Sequence, residues 1–158
     1  PTTAIINDST ECFNSKHLNV LESIIDSSNF GLGSLPELLN IVTMDKDSSN
    51  TIEPMELGNQ YWKSGNLNFL QAVGLGLSGT LPNNILDLDN LEVLHLSNNY
   101  LSGNIPQEIC YFVNLLPLDW NSIEIGALSS NLFNNRFCPP YPVCIEPYVG
   151  IQNTSNCE

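Results

Sequence analysis

The chain has 158 residues, with 17 acidic against 4 basic side chains and a formal charge of −13. That length fits one domain with a real core. The charge repels nucleic acid and anionic membranes, leaves cations, basic proteins and glycans as partners, and by itself also serves solubility. No run of about 18 apolar residues occurs, so nothing reads as a membrane span. No signal peptide is visible, and a start at Pro1 reads as a processed or trimmed product.

Residues 1–15 are polar and read as extended. Residues 16–29 read as a helix: Leu18, Leu21 and Ile25 form a stripe with Val20 and Ile24 beside it, and Asn14 or Ser15 caps the start. Gly31 and Gly33 close it. Its expected task is to cover the open edge of whatever follows. A second short helix, opened by Pro36, carries Leu35, Leu38, Leu39 and Val42.

That helix leads into an acidic stretch, 45–56, which matches the ligand spacing of an EF-hand calcium loop. Asp45, Asp47 and Ser49 stand at its first, third and fifth positions, Thr51 offers a carbonyl, Glu53 stands ninth, and Glu56 is the closing carboxylate. Asn50 replaces the usual glycine, and Asn enters the left-handed region readily. Pro54 and Gly58 make a poor exit helix, so a structural calcium ion and a plain acidic surface loop both stand as readings.

The most informative stretch is written twice. Leu67–Pro82 recurs as Leu91–Pro106, a period of 24. Leu70 falls on Leu94, Leu77 on Leu101, Ser78-Gly79 on Ser102-Gly103, and Pro82 on Pro106. A fixed period in this range signals stacked repeats. Leu94 and Leu96 alternate with His95 as a half-buried strand requires, and Asn99 can turn inward to serve backbone groups that leave the strand. Upstream, Leu57, Gln60 and Trp62 read as a degenerate first copy, with Trp62 as a core plug. Downstream, Leu115 and Leu118 restart the pattern, with Trp120 in place of a leucine. Leu128, Asn131 and Phe133 then reproduce the Leu96, Asn99, Leu101 spacing with an offset of 32, which implies eight inserted residues within Asp119–Ala127.

The pattern LxxLxLxxNxLSGxIP resembles the plant-type leucine-rich repeat of extracellular plant and microbial surface proteins. The resemblance implies an α/β solenoid: a short right-handed coil with a parallel concave sheet, an N-terminal helical cap and a disulfide-stapled C-terminal cap. The corresponding divisions are 1–56 for the N-terminal cap with the acidic loop, 57–137 for three to four coils, and 138–158 for the Cys/Pro-rich cap. The inward Asn is Leu75 in the first clear copy, so that copy's polar ladder is expected to be weaker.

The resemblance implies binding rather than catalysis, through a concave face carrying Phe69, Gln71, Val73, Val93, His95, Ser97 and Asp119. The histidine, serine and aspartate raise a hydrolase as an alternative. Strand geometry sets His95 and Ser97 roughly 7 Å apart, beyond hydrogen-bond reach, and no nucleophile elbow is present. Two functions remain: a secreted or cell-surface protein that binds a protein or glycan, or a structural subunit that stacks with copies of itself into a fibre or surface layer.

Five cysteines, three of them within the last 21 residues, read as a disulfide staple formed in an oxidising compartment. Zinc is disfavoured, because there is no CxxC and His17 and His95 lie far off. Connectivity is not readable from spacing. The expected pairs are Cys110–Cys138 and Cys144–Cys157, with Cys12 left over. Asn7 and Asn153 open N-x-S/T sequons, either of which chance alone can produce.

Overall fold

A computed structural model describes residues 4–5, 12–28, 44–112 and 130–158. The second helix over Leu35–Val42, the leucines at 115 and 118 with Trp120, the inserted stretch with Asp119, Leu128 and the sequon at Asn7 lie outside the described residues.

Strands β1 (Ala4–Ile5) and β2 (Cys12–Phe13) pair antiparallel. Helix α1 (Ser15–Ser27) follows, and the Asn14 carboxamide caps it by accepting from Lys16 N–H at 3.1 Å. Its apolar stripe is the expected one, with Val20, Leu21 and Ile24 fully buried and Ile25 at the margin. Strands β3 (Asn59–Lys63) and β4 (Asn66–Gln71) form an antiparallel hairpin, and β5 (Val93–His95) adds to β4 in parallel. A second parallel pair joins β6 (Ser102–Asn104) to β7 (Arg136–Cys138). Single 3₁₀ turns over Asn83–Asp87 and Gln107–Tyr111 follow Pro82 and Pro106.

The two clear copies lie side by side. Phe69, Leu70 and Gln71 pair with Val93, Leu94 and His95, and the repeat leucines at 67, 70, 77, 91, 94 and 101 are fully buried in one apolar cluster. Burying a leucine contributes about 1.5–3 kcal/mol, so this stack dominates the core.

The solenoid expected from the repeats is not built. Such a coil needs one parallel sheet to which every turn adds a strand. Among the described residues the chain forms one α-helix and three small sheets of two, three and two strands, and the sheet holding the repeats begins with an antiparallel pair. The cause is local. Ser64 and Gly65 stand at φ +52° and +77°, giving the two-residue turn that folds a hairpin. The segment expected as a first coil is therefore a hairpin arm, and its Trp62 packs edge-on against Phe13 with ring centroids 5.0 Å apart. Beyond β5, among the described residues, pairing continues as a parallel bridge from His95 to Asn131, with Leu96 N–H and Asn98 N–H donating to the carbonyls of Asn131 and Phe133.

The inward polar groups are nonetheless occupied. Asn99 accepts from Leu75 N–H (3.0 Å) and Leu77 N–H (3.1 Å) and donates to the carbonyls of Ala72 (2.7 Å) and Leu96 (3.0 Å). Gln60 donates to the carbonyls of Pro54 and Leu57. The next equivalent of Asn99 is Asn135, not Asn131. Asn135 accepts from Leu101 N–H and donates to the carbonyls of Leu96 and Leu132. The offset there is 36, as in the Asn134–Asn98 contact, so the insertion is longer than the sequence pattern suggests.

The cysteine pairing also differs from expectation. The bonds are Cys110–Cys144 and Cys138–Cys157, with Cα separations of 5.8 and 5.5 Å. Pairing along β6, with Phe137 buried, sets the course of β7 and places Cys138 at its end, near Cys157 of the returning tail. The following turn brings Cys144 to the 3₁₀ turn that holds Cys110. Cys12 is exposed and unbonded among the described residues.

Candidate metal centre and ligand cavity

The acidic stretch closes on itself through carboxylates. Asp45 accepts from Ser49 N–H at 3.0 Å and from Asn50 N–H at 2.9 Å, and Asp47 accepts from Ser49 N–H at 3.0 Å. From the far end of the loop, Glu56 accepts from Lys46 N–H at 2.6 Å and from Glu53 N–H at 3.2 Å. Asn50 takes φ +66°, the conformation a glycine supplies in a calcium loop, and Ser48 stands at +62° as well.

One oxygen from each of Asp45, Asp47 and Glu56 lies within 4.8 Å of the others. Two oxygens on opposite sides of a calcium ion are about 5 Å apart, so all three fit around one divalent cation. Glu53 Oε2 is buried without a hydrogen-bond partner among the described residues, which suits a nearby positive charge. The other oxygen, Oε1, accepts from the Thr51 hydroxyl at 2.5 Å, and this bond holds the Glu53 carboxyl below its ordinary pKa. Ser49, Thr51 and Glu53 thus form a second hydrogen-bonded group beside the three gathered carboxylates. The exit is a single 3₁₀ turn, Pro54–Glu56, rather than a helix.

A cavity of about 350 Å³ adjoins this loop. Lys46 and Glu56 of the loop line it together with Gln71 and Val73 at the end of β4, His95 and Ser97 at the end of β5, and Phe133. Gln71, Val73, His95 and Ser97 thus meet in one place. Phe69 and Val93 pair one step back along the same strands and do not line it.

The face is more enclosed than expected: Val93, His95 and Ser97 are all buried. Burial pushes the His95 pKa below its ordinary value, so the ring is neutral near pH 7. His95 and Ser97 are also not out of reach of each other. Their Nε2 and Oγ atoms are 2.9 Å apart, because strand spacing separates the backbones and the long imidazole reaches across that gap. Among the described residues nothing orients the other ring nitrogen, Nδ1. The sequon residue Asn153 is exposed, and its side chain accepts from Ser155 N–H at 3.1 Å in an Asx turn.

Sequence reasoning missed the loop's share in the cavity. Glu56 and Lys46 were legible as parts of an acidic loop, but no spacing rule brings them to His95.

No family model matches the chain. Over 47 residues, 30% of this chain, it is 43% identical to the inactive LRR receptor-like serine/threonine-protein kinase BIR2 of Arabidopsis thaliana. The matched stretch amounts to 8% of that protein's length. This similarity supports a leucine-rich-repeat relationship over part of the chain. No helix among the described residues is long and apolar enough to cross a membrane.

Proposed function

We propose that the protein is an extracellular, non-catalytic recognition module that binds a protein or glycan at the cavity beside β4 and β5. The observation that carries this reading is the meeting of Gln71, Val73, His95 and Ser97 in one cavity. Two disulfides favour an oxidising compartment. The partial likeness to a receptor-like protein named as an inactive kinase points the same way. In this reading 1–56 and 138–158 flank and close the leucine-rich stretch 57–137, and Asn7 and Asn153 are sites for glycans. Phe69 and Val93 support the cavity wall from the adjoining strand positions. The fibre alternative drew on a short solenoid with capped ends or flat flanks, a spare cysteine and glycans; among the described residues the solenoid is not formed.

The test is an array of neutral and charged glycans together with purified ectodomains, probed with the wild type, with Val73→Arg at the cavity and with Tyr111→Arg, Tyr111 being 71% exposed and not a lining residue. Signals lost in Val73→Arg and kept in Tyr111→Arg are expected. Signals that survive Val73→Arg unchanged overturn the reading.

The acidic loop is proposed to hold a structural calcium ion through Asp45, Asp47 and Glu56, with Ser49, Thr51 and Glu53 in support. Calorimetric titration with calcium is expected to give one site and a raised Tm, and Asp45→Asn removes both. No heat together with an unchanged Tm disposes of the idea.

A further inference from the structure

We infer that the outer edge of β3 is where two copies of this chain pair, strand to strand, in an antiparallel dimer centred on Tyr61. The inference does not depend on what the cavity binds. β3 ends the three-stranded sheet: β4 takes one of its edges, and among the described residues no strand takes the other. An unpaired edge presents backbone N–H and C=O groups to any strand that fits. Proteins blunt such edges with proline, charges or bulges. β3 has no proline, and its one charge is at its last residue, Lys63. The bulge in the hairpin falls on β4, since Tyr61 pairs with Phe69 and Trp62 with Leu67, which leaves Asn68 as the extra residue. β3 itself is regular.

Two observations select a second copy as the occupant. The first is charge. All 17 acidic residues lie outside residues 57–86, and the one basic residue within that stretch is Lys63. Two chains of charge −13 repel each other wherever their acidic groups meet. Close approach is therefore least opposed along this stretch, and β3 is its unpaired edge.

The second is self-complementarity. About a two-fold axis at Tyr61, Asn59 stands opposite the partner's Lys63 and Gln60 opposite the partner's Trp62, so no like charges face each other. Tyr61 meets the partner's Tyr61. It is 60% exposed in the single chain, and cross-strand aromatic pairs are favourable. Asn59 and Lys63 are exposed on the same strand. The product is one continuous sheet through both copies, and its symmetry closes it, so no third chain adds at this edge.

The experiment is analytical ultracentrifugation of the chain carrying Cys12→Ser, which removes the exposed thiol as a source of covalent dimers. An edge of five residues buries little area, so the expected dimer is weak, with a Kd of about 0.1–1 mM at about 0.15 M salt. Salt screens the net repulsion, and the dimer tightens severalfold at about 0.5 M. Tyr61→Asp sets two carboxylates face to face and weakens it about tenfold. Tyr111→Asp, the same charge change at another exposed tyrosine, leaves it unchanged. Asn59→Asp places two carboxylate–lysine pairs across the axis and tightens it severalfold, a gain that loss of fold does not imitate. A chain that stays monomeric to about 1 mM overturns the inference. So does a dimer that Tyr61→Asp leaves intact, one that Tyr111→Asp weakens equally, or one that Asn59→Asp fails to tighten.

Discussion

At the scale of single residues, two buried polar side chains, Asn99 and His17, tie together segments far apart in sequence. Asn99 satisfies two N–H groups and two carbonyls of the loops around it, and burying those groups unpaired is costly. Asn99→Ala is therefore expected to destabilise the protein by about 3–5 kcal/mol in urea unfolding. His17 is fully buried: its Nδ1 accepts from Leu67 N–H at 2.9 Å, so Nε2 carries the proton and donates to Asp89 at 3.2 Å. Desolvation lowers its pKa more than Asp89 and Asp87 raise it, and His95 shifts in the same direction. The unfolded chain takes up these protons near pH 6.5, the folded chain only at lower pH. Stability from this source is thus complete above about pH 6.5 and falls as the solution is acidified through the folded pKa values. A lower urea midpoint near pH 5.5 than near pH 7.5 is the expected result, with a smaller difference in His17→Gln.

At the scale of elements, the turn at Ser64–Gly65 decides the topology. A Cβ on Gly65 would meet the Cys12 carbonyl oxygen at 2.2 Å, and φ there is +77°. The same close approach recurs where the helix docks, since a Cβ on Gly79 would lie 2.3 Å from the Ser27 carbonyl oxygen. Gly65→Ala and Gly79→Ala are each expected to cost about 2 kcal/mol or more, read as a lowered Tm. Helix α1 was legible because its stripe, its Asn14 cap and its length are all local signals. The hairpin was not. Its Lys-Ser-Gly-Asn turn was present in the sequence, but the weak repeat resemblance of Leu57–Trp62 competed with it and pointed to a parallel coil.

At the scale of the whole molecule, one apolar cluster runs from Val20 of α1 to Val149 near the tail, and two disulfides tie its far end. The bridges close separations of 34 and 19 residues, so chain entropy gives the Cys110–Cys144 bond about 4 kcal/mol and the Cys138–Cys157 bond about 3 kcal/mol. Serine replacement of the first pair is expected to lower the urea midpoint slightly more than replacement of the second. The pairing of Leu70 with Leu94, the burial of the repeat leucines and the inward turn of Asn99 were determined by the sequence alone, because a period of 24 carries them and each needs only its nearest copy. Tertiary structure alone decided the direction of the first hairpin, the offset of 36 after the insertion, the cysteine partners and the placing of Glu56 and His95 on one cavity. These depend on where the chain travels between distant contacts. No local spacing encodes that path; it is set by which burial and hydrogen-bond demands are met at once when the whole core closes.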